Sequence, residues 1–203
     1  MADCYWSKLE LVLPDWFPHN ALMHEELNDG FDLGRWVSDT YGVEPDNIPA
    51  GDPAYDHYRI ITDLLEHITP SGYENAEDPD DLWNPETRVI AFPDDQARWG
   101  SAQWEDAVNV ASEWNIPWRT IDAGKYEWPG CEESNVPGGT RYYSEIGNDD
   151  ERYVGRAAFE RIVADNAHPI PTIHRSRVAA AINRHFSYEW ITEVQDVQRN
   201  SHR

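Results

Sequence analysis

Residues 88–121 constrain the fold more than any other stretch. Arg88-Val89-Ile90-Ala91-Phe92 is a short apolar run followed by Pro93-Asp94-Asp95, which predicts a buried strand ending in a turn. Beyond Gly100-Ser101, the residues Trp104, Ala107, Val108, Ala111 and Trp114 recur at helical spacing. Pro117 stops that helix, and Trp118-Arg119-Thr120-Ile121 predicts a second strand. A strand-helix-strand unit of this length can join parallel neighbours. The expectation is an α+β or α/β fold: a single compact domain with this central unit, a mixed sheet, acidic loops and a C-terminal helix.

The flanking segments extend that picture. Residues 5–13 alternate in part, with Trp6, Lys8 and Glu10 against Ser7, Leu9 and Leu11, and predict a strand closed by Pro14. Short helices are expected over 19–27 and from Phe31 through Val37, the second ended by Gly42 and Pro45, then a Pro- and Gly-bearing loop over 44–55. Tyr58, Ile61, Leu64, Leu65 and Ile68 mark an amphipathic helix over 55–68. Residues 73–85 read as an acidic surface loop, and 123–139 as two glycine-bearing turns. Segments 140–146 and 152–159 suit a hairpin, although Phe159, Ile162 and Val163 also suit a helix start. Residues 175–186 predict a helix, and 188–197 fit either a strand or a helix. His168-Pro169-Ile170-Pro171 divides an acidic body, residues 1–165, from a slightly basic helical segment, 166–203, expected to pack on it.

Charge narrows the function classes. The chain carries 38 acidic and 16 basic side chains, for a net charge of −22. Such a protein is repelled by nucleic acid phosphates and anionic membranes, so its expected partners are basic proteins. Thirteen of the acids fall in residues 36–87 against the single base Arg59, so this quarter of the chain carries more than half of the net charge. Averaged over a globule of ~9,800 Å² the charge is roughly four times more dilute than on B-DNA, so imitation of DNA requires clustering. No run reaches the ~18–20 apolar residues that span a bilayer, and the first residues lack the order of a signal peptide, which predicts a cytoplasmic protein. Cys4 and Cys131 are read as reduced thiols, too few for a structural zinc site by themselves.

Candidate chemistry is sparse. Asp94-Asp95 at a strand end could hold Mg²⁺, but Pro-Asp-Asp is also ordinary turn chemistry, which is the stronger reading. His24-Glu25 lacks a second histidine at metalloprotease spacing, and Asp56-His57 and Glu66-His67 stand ~15 Å apart along one helix, too far to share a metal. No nucleophile elbow, Walker loop or dinucleotide fingerprint is present, and Cys131 beside Glu132-Glu133 sits in a setting that disfavours the thiolate. No cofactor, catalytic residue or metal ligand is therefore assigned. Arg175, Arg177, Arg184 and His185 are expected to pair with the protein's own carboxylates, or with those of a second copy in a homodimer.

These readings converge on a non-enzymatic acidic inhibitor that presents a DNA-mimicking surface to a basic nucleic-acid-handling protein. Its expected contact residues are Asp46, Asp52, Asp56, Glu74, Glu77, Asp78, Asp80, Asp81, Trp83 and Glu86. In composition such a surface resembles the inhibitors that phages and plasmids direct against restriction or CRISPR machinery. The competing expectation is a salt-adapted small enzyme or ligand-binding domain with a carboxylate and histidine site around Asp94 and Asp95.

Overall fold

The computed structural model describes residues 5–23, 30–68, 82–97, 104–123, 130–139, 141–146 and 152–201. The alternation at the amino terminus becomes strand β1 (Tyr5–Val12), followed by a 3-10 turn at His19–Leu22 in the described part of the first expected helix, whose residues 24–27 lie outside the described residues. Helix α1 (Leu33–Tyr41) starts where the Asp32 side chain accepts the Arg35 N–H, and stops where Gly42 enters the left-handed region at φ 71°. Helix α2 (Pro53–His67) is capped in the same way by Asp52, with Pro53 at its first position. Strands β2 (Trp83–Asn84) and β3 (Val89–Ala97) precede α3 (Glu105–Glu113), which ends as Asn115 takes φ 56°, a turn that Asn tolerates better than most residues. Strands β4 (Trp118–Asp122), β5 (Gly130–Asn135), β6 (Arg141–Ile146) and β7 (Arg152–Tyr153) follow. Helices α4 (Arg156–Asp165), α5 (Pro171–Phe186) and α6 (Trp190–Ser201) complete the described chain.

The seven strands form one open sheet in the order β2-β3-β1-β4-β5-β6-β7, with every neighbouring pair antiparallel. The fold is thus α+β, and the mixed sheet gives way to an antiparallel one. Strands β3 and β4 do run parallel, as the central unit predicts, but they are not neighbours, because β1 is inserted between them. Pro93-Asp94-Asp95 is not a turn, since β3 continues through it with Pro93 opposite Lys8 and Asp94 opposite Ser7. Proline is tolerated there because β2 pairs only with Val89 and Ile90, leaving that part of β3 at an edge. The second half of the expected hairpin shortens to β7 before α4 begins, and residues 190–201 are helix.

Period two sets the two faces of the sheet. Leu9 and Leu11 of β1, with Ile90, Phe92 and Trp118, enter the main core beneath α2 and α3, whose Ile61, Leu64, Ala107 and Ala111 are fully buried. On the opposite face Val12 and Val136 are covered by Trp190 and Val194 of α6. No described helix is long and apolar enough to cross a membrane.

Arg88 ties the two ends of this core together. At φ 56° it turns the chain from β2 into β3, and its backbone carbonyl accepts the Leu13 N–H at 2.9 Å. Its guanidinium donates to the carbonyls of Leu13, Pro14 and Phe17 and lies 5.4 Å above the Trp83 ring. Replacing Arg88 with alanine leaves those carbonyls without their donor and is expected to cost about 2 kcal/mol. Arg35→Ala, which loses one exposed ion pair, should stay within about 0.5 kcal/mol of the parent in urea unfolding.

Candidate functional site

The acidic surface is built on the layer formed by α1, the 3-10 turn Pro45–Asn47, α2 and α3. Helices α2 and α3 turn their apolar stripes to the core they share with the sheet and α1 packs on α2, so the remaining positions of the layer meet water, and several of them are carboxylates. Among the described residues Glu44, Asp46, Asp56, Glu66, Glu105 and Asp106 are all exposed and make no ion pair. The two arginines of this layer are already engaged. Arg35 reaches Asp39 at 3.5 Å, while Arg59 bridges Asp63 at 3.5 Å and Glu113 at 3.6 Å and lies 5.1 Å above the Trp114 ring.

The expected contact residues divide. Asp46 and Asp56 are exposed on the layer. Asp52 is half-buried, and its carboxylate accepts the Ala54 N–H at 2.9 Å, so it holds the start of α2. Glu86 is exposed in the turn between β2 and β3, where its N–H donates to Asn84. Trp83 is half-buried, stacked on His19 at 4.5 Å and packed against the core, which makes it a pinned ring more than an open anchor. Glu74, Glu77, Asp78, Asp80 and Asp81 lie outside the described residues, as does His24.

The sites of the competing reading are equally dispersed. Asp94 and Asp95 sit within β3, and their side chains lie outside the described part of the structure. His57 is stacked on Trp16 at a centroid distance of 3.6 Å and hydrogen-bonded to the Tyr41 hydroxyl. Among the described residues no group of three or more His, Cys, Asp or Glu side chains is arranged to hold a metal. The Cys131 thiol donates to Asp122 at 3.4 Å, and Asp122 also accepts from Ser7 at 2.6 Å, which in turn accepts the Trp104 indole N–H at 3.0 Å. That chain of bonds joins α3 to the sheet.

The opposite face of the sheet holds a feature that composition does not reveal. Lys8 contacts Glu10 at 2.7 Å, and Arg119 donates to Glu10 at 2.6 Å and to Glu132 at 3.5 Å. Arg152 then meets Glu132 at 3.0 Å. Charges of alternating sign therefore cross β1, β4, β5 and β7, with Glu10 only 6% and Glu132 only 2% exposed. Arg119 also lies 5.1 Å over the Trp190 ring, and Arg152 donates to the Tyr188 carbonyl at 2.8 Å, so the ladder anchors the segment entering α6. A cavity of about 520 Å³ opens beside it, lined by Lys8, Glu10, Asn84, Arg119 and Ile191 among others. Lys8 and Glu10 were visible in the alternation of β1, whereas their partners come from strands distant in sequence.

The arginines of α5 depart from expectation. Among the described residues Arg175, Arg177 and Arg184 make no ion pair, because α5 carries no acid and presents these residues to solvent. They do not neutralise the acidic layer.

Removing Arg119 should leave Glu10 with Lys8 and Glu132 with Arg152 as their remaining partners in the ladder. Arg119→Met is expected to destabilise the protein by about 2–3 kcal/mol, and Glu10→Gln with Glu132→Gln in the same chain should recover part of that loss in urea unfolding. Burial is the largest influence on His19, His57 and His185 and holds all three below their ordinary value of 6.5. The unfolded chain consequently binds protons more readily, and stability should fall as the pH drops through 6.5. His57→Gln should flatten the corresponding part of the stability profile measured by thermal unfolding. No family model matches this chain, and no curated protein or solved structure does so significantly, so the arrangement of its residues is what any functional reading rests on.

Proposed function

We propose that the protein is a non-enzymatic binding protein whose acidic helical layer docks on the phosphate-binding surface of a basic, nucleic-acid-handling protein and blocks it. The observation that carries this reading is the set of exposed carboxylates at the 3-10 turn and on α2 and α3 that make no ion pair among the described residues, in a layer whose two arginines are already engaged. A rigid scaffold supports them, since α2 and α3 share one buried core with the sheet. Fixed carboxylates oppose a cationic groove without the ordering cost of a flexible acidic tail. The complex would form fast at low salt through steering and weaken as salt screens it.

Affinity capture from lysate of the source cells, followed by elution with duplex DNA, tests this directly. The reading expects nucleic-acid-handling proteins to be retained at low salt, displaced by DNA, and lost when Glu44, Asp46, Asp56 and Glu66 are all changed to lysine. Retention of no such protein, or retention unchanged by those substitutions, overturns it. A melting temperature that climbs steeply only in molar KCl would instead make the acidity a solvation device.

A further inference from the structure

In a chain where acids outnumber bases 38 to 16, an arginine is expected to find a carboxylate. Arg35, Arg59, Arg88, Arg119, Arg141, Arg152, Arg156 and Arg199 all do. Arg161, Arg175, Arg177 and Arg184 make no ion pair among the described residues, and of these Arg161 of α4 and Arg184 of α5 are brought to one cavity of about 300 Å³. Arg141 of β6 borders the same space, held by Glu133 at 2.8 Å. Like charges converging on one concavity repel each other unless an anion enters between them.

The rest of the lining is apolar and already in place. Ala158, Ile162 and Ala181 form one wall, and the two alanines leave room between α4 and α5. The other wall is aromatic. Tyr142 and Tyr188 stack at 3.9 Å, the Tyr142 hydroxyl donates to the His185 carbonyl at 3.1 Å, and the Tyr188 hydroxyl meets Ser134 at 3.0 Å. Tyr143 also borders the cavity, but the alternation of β6 turns its ring to the face of the sheet opposite Tyr142.

We propose that this cavity binds a phosphate monoester carried on a planar ring, of the size of a nucleoside monophosphate, with Arg161 and Arg184 clasping the phosphate and the aromatic wall of Tyr142 and Tyr188 against the ring. The planar guanidinium fork matches phosphate oxygens two at a time, which suits paired arginines better than a single point charge would. The volume falls at the lower end of small-molecule sites, ~300–1,000 Å³, which excludes larger cofactors. The site lies on different elements from the acidic layer and has the opposite sign, so it stands or falls independently of the proposed function.

Isothermal titration of the whole protein at low salt with adenosine 5′-monophosphate, inorganic phosphate and adenosine tests the assignment. The monophosphate should bind at least about tenfold more tightly than either fragment, because the two halves of the cavity act together. Arg161→Gln with Arg184→Gln should lower its affinity at least about tenfold, with the circular dichroism spectrum unchanged, while Arg199→Gln should leave the affinity intact. Absence of monophosphate binding up to millimolar concentration overturns the proposal, as does equal affinity in the double variant. So does a double variant that changes only the sedimentation of the protein, since the arginines would then be engaging carboxylates of a second copy.

Discussion

Much of this molecule is arranged about β1, an interior strand that pairs with β3 on one side and β4 on the other. Its residues alternate between two environments of opposite chemistry: Leu9 and Leu11 enter an apolar core under the helices, while Lys8 and Glu10 enter a charged ladder on the other side. A shift of one residue would place Glu10 in the apolar core, so the register is strongly specified. Arg119 makes the charged side tolerable. A buried carboxylate is costly unless paired and hydrogen-bonded, and Arg119 serves both Glu10 and Glu132 while its plane covers the Trp190 ring. The same contact fixes where α6 begins, and α6 in turn covers Val12 and Val136.

The elements legible in the sequence are those whose apolar residues carry a clear period: β1, α2, α3 and β4. Strand β5 escaped notice for a definite reason. Its inward residues are Gly130, Glu132 and Ser134, so the strand buries polar groups and shows no apolar alternation. Only the arginines of β4 and β7 make Glu132 a core residue, and no local pattern encodes that pairing. The extension of β3 was hidden by Pro93, which reads as a terminator unless the strand is known to lie at an edge there. Helix α6 was ambiguous because Tyr188 and Trp190 have strand spacing, whereas its buried pair Trp190 and Val194 has helical spacing.

The candidate sites were legible to different degrees. The excess of carboxylates in residues 36–87 could be counted, but which of them cap helices could not, and Asp52 proves to be structural. The arginines of α5 stood out as a cluster, and the simplest electrostatic expectation sent them to the acidic body. Among the described residues they make no ion pair, because α5 carries no acid and turns them to solvent.

The insertion of β1 between β3 and β4 also bears on how the chain reaches its native state. Leu9 must wait for Phe92 on one side and Thr120 on the other, so the centre of the sheet cannot close until most of the polypeptide exists. During synthesis β1 emerges before both of its partners, with both hydrogen-bonding edges open. Its two ladders are non-local contacts whose loop-closure entropy is met before any stabilisation is returned, which makes the placement of this strand a slow, late event in folding. Its alternate charges, Lys8 and Glu10, keep it from pairing with other nascent chains in the meantime.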